Sequence, residues 1–261
     1  MDYLNRLLSR SFTAVAAVLM VAISFADVAA DEGDDARSHL RAAQRADASR
    51  QWQQAEAACD AALKLDQNLA SAYYYRGRAR FGLAKFKESV ADFDAYVKLA
   101  PDVASRQWER GISCYYARQF AEGAKQFELY QTYHDNDVEN SVWRYLCMAR
   151  MKDGGVEKAR AAILPIRNDR RVGMMKVYDL YRGKATAEEV LAAAAPSKDG
   201  PTGPLFYARL YLGLYYEAQG DSELAKKYLR LAAREHRGDA DRGEVNHYMY
   251  EVAVRHDQLN D

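Results

Sequence analysis

The sequence predicts an all-α fold, an α-α superhelix of helical hairpins closed by a terminal capping helix. Apolar residues recur at intervals of three and four along most of the chain, the spacing of one helix face, and no segment shows the alternation typical of a strand. The 261 residues include 5 Pro, so few positions break a helix. Similar residues also recur every 34 positions through three consecutive units.

The 34-residue repeat appears at several classes of position, each with its own side-chain size. The first class is small (Ala43, Gly77, Gly111) and the second is aromatic (Trp52, Phe86, Phe120). The third class is again small (Ala55, Ser89, Gly123), and the fourth closes each unit (Leu65, Leu99, Tyr133). This is the period of the tetratricopeptide repeat (TPR), a pair of helices. We therefore predict TPR units at 36–69, 70–103 and 104–137. Small residues at 77 and 89 predict close approach of the two helices.

The chain after residue 137 departs from this pattern before returning to it. Residues 138–171 predict a degenerate unit, and 172–204 an irregular insert of two short helices and a Pro/Gly loop. Thr186 with Glu189 forms a capping-box spacing at the start of one of these helices. A TPR-like hairpin follows over 205–240. The capping helix and tail, 241–261, are predicted to begin with a cap at Asp241 and to end in polar, solvated residues.

The amino terminus has the layout of a secretory signal peptide over residues 1–30. A basic start, with Arg6 and Arg10, precedes an apolar run and the small residues that end at Ala30. An acidic mature amino terminus, 31–35, follows. We predict cleavage after Ala30, with Ala26 as the alternative, and hence an exported, periplasmic protein without a stable membrane span after cleavage. An uncleaved segment that anchors the chain is the other interpretation, although the run is short for a membrane span.

Composition and motifs favour a protein without catalytic chemistry. Lys plus Arg and Asp plus Glu each number 37, so a basic excess suited to nucleic acid is absent. No sequence pattern for a catalytic, cofactor or metal site is present, and we expect no enzyme activity, cofactor or metal. His134 and His256 are predicted to be solvated. The three cysteines are interpreted as buried free thiols, with a Cys114–Cys147 disulfide as the alternative: Cys59, Cys114, Cys147.

The first helix of each unit is expected to line a concave wall, and this wall is unusually apolar. Aromatic and aliphatic residues predominate where an isolated amphipathic helix would carry charge, which favours a protein-binding groove. The candidate binding residues are Tyr74, Arg78, Phe81, Trp108, Ile112, Tyr115 and Tyr116. The alternative is that the chain's own later helices, within 172–195 or 241–256, fold back into the groove. The sequence leaves both interpretations open.

Several segments together carry a resemblance to a known family: Arg110-Gly111-Ile112 with Tyr115-Tyr116, then Tyr130, then Val142-Trp143-Arg144-Tyr145-Leu146, and residues 206–231. They resemble the bacterial lipoprotein NlpI family. The resemblance covers about residues 40–250 and implies a homodimeric envelope adaptor that brings substrates to a tail-specific protease and gathers cell-wall enzymes. The lipidated Cys of that family is missing here. The expected function is thus a non-enzymatic protein–protein interaction scaffold of the bacterial envelope; the alternative is a structural subunit whose groove is filled internally.

Overall fold

A computed structural model describes residues 35–198 and 200–260. The predicted signal peptide and residues 31–34 lie outside the described residues. The described part of the chain is all-helical and contains no strand. Its helices are α1 (35–48), α2 (Trp52–Leu65), α3 (Ala70–Gly82), α4 (Phe86–Leu99), a 3-10 helix (Pro101–Arg106), α5 (Trp108–Tyr116), α6 (Phe120–Gln131), α7 (Val138–Arg150), α8 (Val156–Ala161), α9 (Met174–Tyr181), α10 (Ala187–Ala193), α11 (Gly203–Gln219), α12 (Ser222–Glu235), α13 (Arg237–Asp241) and α14 (His247–Asn260).

Consecutive helices pack as hairpins, and the turns inside the first three hairpins repeat with the predicted period. Arg50, Ala84 and Arg118 occupy these turns, and their φ angles of 56°, 57° and 60° lie in the left-handed region that non-glycine residues rarely adopt. The amide of the next residue donates each time to a carbonyl five residues back, at 2.8 Å. One backbone structure therefore recurs every 34 residues, as expected for a TPR superhelix.

The 34-residue register returns after the part of the chain that looks irregular in sequence. Gly220, at φ 84°, occupies the turn between α11 and α12, five periods after Arg50. The next amide, of Asp221, again donates five residues back, to Tyr216 at 2.9 Å. The pairs α7–α8 and α9–α10 together span the two intervening periods, but the turn between α9 and α10 lies at Gly183, three residues before the position in phase. Where the sequence predicts a degenerate unit and an irregular insert, the structure has two shortened hairpins, and the turn of the second is out of register.

The predicted close approach of paired helices is present and has a repeated partner. A Cβ atom added at Gly77 would lie 3.2 Å from the ring of Phe93, and one at Gly111 would lie 2.6 Å from the ring of Phe127. The Ser89 hydroxyl, in the second small class, donates to the carbonyl of Gly77 at 2.7 Å. The small residues at Gly77 and Gly111 let a phenylalanine sixteen residues later, Phe93 or Phe127, pack against the helix backbone.

Ion pairs between neighbouring hairpins follow the same register. Each joins an arginine on the first helix of one hairpin to a carboxylate on the second helix of the preceding hairpin: Arg76–Asp60 at 2.7 Å, Arg110–Asp94 at 2.7 Å and Arg144–Glu128 at 2.6 Å. Arg76 also binds the buried carboxylate of Asp92 at 2.7 Å. Burial raises the pKa of Asp92, while Arg76 and Arg80 act in the opposite direction.

The carboxyl-terminal part differs from its sequence prediction. Asp241 ends α13 and does not begin a helix. Asn246 provides the cap of α14, because its side-chain oxygen accepts from the amides of Tyr248 at 2.9 Å and Met249 at 3.2 Å. The prediction of a solvated tail was also wrong for His256, which is 4% exposed. A helix that packs inside the superhelix has to bury its polar residues together with its apolar ones.

Smaller sequence predictions are confirmed. Thr186 and Glu189 form the expected capping box at the start of α10. The three cysteines are buried free thiols, and burial raises the pKa of Cys59 to about 12 and of Cys114 to about 11. His134 is exposed. Among the described residues, no helix has the length and apolar character needed to cross a membrane.

Candidate functional site: the inner wall and the helix that fills it

The seven predicted groove residues lie on α3 and α5, and α14 lies against them. We call this surface of α3 and α5 the inner wall. Phe81, Ile112 and Tyr115 are buried, and the other four residues are half-buried: Tyr74, Arg78, Trp108 and Tyr116. The structure therefore brings the predicted residues together, and the chain's own last helix contacts four of them: Arg78, Phe81, Trp108 and Tyr116.

Tyr248 of α14 is the main contact with the inner wall. Its ring is 2% exposed, and its centroid lies 4.8 Å from that of Phe81 and 5.3 Å from that of Trp108, which is perpendicular to it. The guanidinium of Arg78 lies 5.4 Å from the same ring centroid. The Tyr248 hydroxyl is within hydrogen-bond distance of Ser113 Oγ, at 3.1 Å. An aromatic anchor enclosed on several sides is typical of an interface hot spot.

A buried polar cluster supports the wall beneath Tyr248. Arg78 binds Asp47 of α1 at 2.9 Å and lies 3.7 Å from Glu109 of α5. The Tyr74 hydroxyl donates to Glu109 at 2.8 Å. Burial raises the pKa of Glu109, and the positive charge of Arg78 opposes this shift. The cluster ties α1, α3 and α5 together, so Arg78 and Tyr74 already have partners inside the protein.

A second polar cluster fixes the other end of α14. The Tyr116 hydroxyl lies 2.8 Å from His256 Nδ1, and His256 Nε2 lies 3.4 Å from Glu217 of α11. Glu217 also accepts from the Tyr115 hydroxyl at 3.2 Å and faces Arg150 at 3.4 Å. Burial disfavours the ionised form of Glu217, but His256 and Arg150 outweigh it and lower its pKa to about 2.

These contacts decide between the two states that the sequence leaves open for the groove. In the described structure α14 fills the groove, through residues within the predicted segment 241–256. Binding of a partner protein by the seven predicted residues stays a prediction. Sequence reasoning missed Tyr248, His256 and Glu217 as contact residues. The available signal was the run from Tyr248 to Val254, which is apolar on more than one face, as expected for a helix that is buried all round.

Comparisons with known proteins add little to this geometry. No protein-family model matches the chain, and no curated protein sequence matches it. Among solved structures, the chain is similar to "MamA 41-end from Desulfovibrio magneticus RS-1", with 15% identity and a TM-score of 0.47 over 78% of this chain and 97% of that chain. It is also similar to YrrB, described as "a TPR protein with an unusual peptide-binding site", with 18% identity and a TM-score of 0.43 over 88% of this chain and 97% of that chain.

Both neighbours are too distant to carry an argument about function. The assignment of this chain to the all-α superhelices built of TPR-type hairpins stands on its own repeated turns, glycine contacts and ion pairs. The resemblance to the NlpI family is not confirmed by any of these comparisons and remains a prediction.

Proposed function

We propose that the chain is a non-enzymatic scaffold that binds other proteins. The observation that carries this proposal is the position of α14 on the inner wall. A wall of rings that encloses the aromatic side chain of a helix has the composition of a helix-binding groove. In the described structure the bound helix is the chain's own, so a partner helix reaches Trp108 and Phe81 only in place of α14.

We also propose that the protein acts in the bacterial envelope and binds partners there. The signal-peptide layout of residues 1–30 supports export to the bacterial envelope. The resemblance to the NlpI family supports a role as an adaptor for an envelope protease or for cell-wall enzymes, and it suggests a homodimer. We propose that the exported protein acts in the periplasm.

A structural subunit with an internally filled groove is the second candidate, and one observation favours it. Leu65, Leu99 and Tyr133, the residues that close the first three units, are 47%, 39% and 58% exposed. They recur every 34 residues, so each of these three units exposes one large hydrophobic side chain at the same position. In this candidate function α14 never leaves the inner wall, and partners bind at these exposed positions.

One experiment separates the two functions. Partners of the full chain, which keeps residues 1–30 and carries a carboxyl-terminal tag, are identified by cross-linking in the native envelope and then purified for direct binding measurements. For a groove-binding scaffold, Tyr248→Ala weakens the hold of α14 and tightens partner binding, and a peptide of residues 246–260 competes with the partner. The structural-subunit function predicts no effect of the peptide and loss of binding in a variant with Leu65, Leu99 and Tyr133 changed to Ser.

Circular dichroism of each variant is the control for folding. If no purified envelope protein binds the wild type or either variant, the scaffold proposal fails in both forms. Amino-terminal sequencing of the mature chain tests the export proposal separately. We expect it to begin at Asp31; retention of Met1 contradicts cleavage.

A further inference from the structure

A cavity of about 220 Å³ lies between α5, α6, α7, α11 and the start of α14. We call it the aromatic cavity, and its apolar lining consists of Trp108, Phe127, Tyr130, Trp143, Tyr207 and Met249. Its volume is below the roughly 300–1,000 Å³ typical of sites for drug-sized ligands. It therefore suits a single side chain or the head group of a small molecule.

The charged groups at this cavity have an excess of negative charge. Arg171 contacts three carboxylates, lying 2.6 Å from Asp137 and 2.5 Å from Asp169 and forming a further ion pair with Glu139. Among the described residues that line the cavity, Arg171 is the one cation. Of these carboxylates, Asp137 and Glu139 line the cavity with Arg171, and Asp169 lies outside its lining. One guanidinium thus faces two carboxylates in the cavity, so the site disfavours an anion and favours a positively charged ligand.

Two polar atoms on side chains that line the cavity are buried and have no hydrogen-bond partner. They are the side-chain oxygen of Asn140, which is 3% exposed, and the indole nitrogen of Trp143, which is 1% exposed. The orientation of the Asn140 amide follows from its neighbour, because its nitrogen donates to Gln131 Oε1 at 3.0 Å while Gln131 donates through its own nitrogen to Asp135 and Pro165. Buried polar atoms in native proteins are nearly always paired, and these two have no partner within the protein, so one acceptor and one donor at this site are left for a bound molecule.

We propose that the aromatic cavity binds an organic cation, a primary ammonium or guanidinium group on a short aliphatic stem. The partly buried rings of Trp108 and Tyr207 provide faces for cation–π contact. The carboxylates of Asp137 and Glu139 supply charge, and the Asn140 oxygen accepts a hydrogen bond from the ligand. A carbonyl or carboxylate oxygen on the same ligand accepts from the Trp143 indole.

This chemistry is shared by a free amino acid or amine and by a Lys or Arg side chain of a partner protein. Burial raises the pKa of Glu139, and the charge of Arg171 opposes that shift. A bound cation favours ionised Glu139, so binding releases any proton that Glu139 holds. Affinity for the cation therefore falls as the pH is lowered.

The proposal is tested first with wild-type residues 31–261 and simple probes. Tryptophan fluorescence and isothermal titration calorimetry are recorded with n-butylammonium, n-butylguanidinium, acetyl-lysine methylamide and, as a neutral control, n-butanol. We expect saturable binding of the cations, with n-butanol at least about tenfold weaker. Tighter binding of acetyl-lysine methylamide than of n-butylammonium supports a partner's side chain as the source, and equal or weaker binding supports a free amine. No saturable cation binding up to about 10 mM, or equal binding of n-butanol, overturns the proposal.

Two variants test the residues assigned to the site. Trp143→Phe keeps a ring but removes the indole N–H, and Glu139→Gln removes charge; each should lower affinity by about 3- to 30-fold. Glu88→Gln, on the exposed face of α4, is the matched control and should bind the cation as the wild type does. Unchanged affinity in both cavity variants contradicts the assignment. If a cavity variant fails to fold, the wild-type comparison of cations with n-butanol still decides the outcome.

Discussion

The substitution Tyr248→Ala measures how strongly α14 is held on the inner wall. The Tyr248 ring is 2% exposed and packs against Phe81 and Trp108. Truncating a buried aromatic ring to Ala typically costs about 3–5 kcal/mol, as lost burial plus the cavity that remains. The hydroxyl contributes little of this, because Ser113 keeps its hydrogen bond to Ser89 at 2.9 Å when the tyrosine oxygen is removed. We therefore expect Tyr248→Phe to cost about 1 kcal/mol.

The assay is urea denaturation followed by circular dichroism, with all variants measured in one buffer. Tyr133→Ala is the matched control, since Tyr133 is 58% exposed and its truncation should change the free energy of unfolding by no more than about 0.5 kcal/mol. The reasoning is refuted if Tyr248→Ala costs as little as Tyr133→Ala. Equal losses in Tyr248→Phe and Tyr248→Ala contradict the smaller claim that the ring dominates over the hydroxyl.

Three further predictions follow from individual contacts. Helix propensity alone predicts that Gly111→Ala stabilises the protein by about 1 kcal/mol. Because the added Cβ would lie 2.6 Å from the ring of Phe127, we expect the substitution to lower the free energy of unfolding by about 1–3 kcal/mol in urea denaturation. An increase contradicts the close approach of the two helices. Glu217 has a pKa of about 2 against the usual 4.5, so its ionised form stabilises the fold by about 3 kcal/mol above pH 4.5, and this contribution is lost as the pH falls toward 2. Glu217→Gln should therefore weaken the dependence of stability on pH over that range, and an unchanged dependence argues against the cluster. Arg76→Met leaves the buried Asp92 with one fewer partner and should cost about 1–3 kcal/mol at neutral pH, less when Asp92 is protonated; a loss independent of pH is inconsistent with this ion pair.

The repeat could be predicted from the sequence because it rests on local sizes and spacing. Gly77, Ser89 and Gly111 have one structural role each, and the close helix approach that they predict is present. The hairpins of 138–204 could not be recognised as repeat units, because α8 and α10 are short and the positions in phase with Phe86 and Ser89 do not hold an aromatic and a small residue. Their place in the superhelix is visible only from the turn at Gly220, which returns in phase.

The candidate site was harder to predict because it depends on contacts between distant parts of the chain. The sequence identified the residues of the inner wall, but whether Trp108 faces solvent or Tyr248 depends on the path of the last helix. The position of His256 near the end of the chain is typical of an exposed tail residue, yet it is buried. It contacts Tyr116, more than a hundred residues earlier, and Glu217, about forty residues earlier. Long-range pairing of this kind leaves no periodic signal in the sequence.

The central claim is that α14 occupies the inner wall of the superhelix, and hydrogen exchange tests it most directly. Peptide-level exchange of wild-type residues 31–261, followed by mass spectrometry, compares residues 247–260 with α11 and α12. The account predicts that α14 is protected to a similar degree as these two helices and that Tyr248→Ala reduces its protection more than theirs. Exchange of residues 247–260 in the wild type as fast as in an isolated peptide of the same sequence would contradict it, because the wall would then be open.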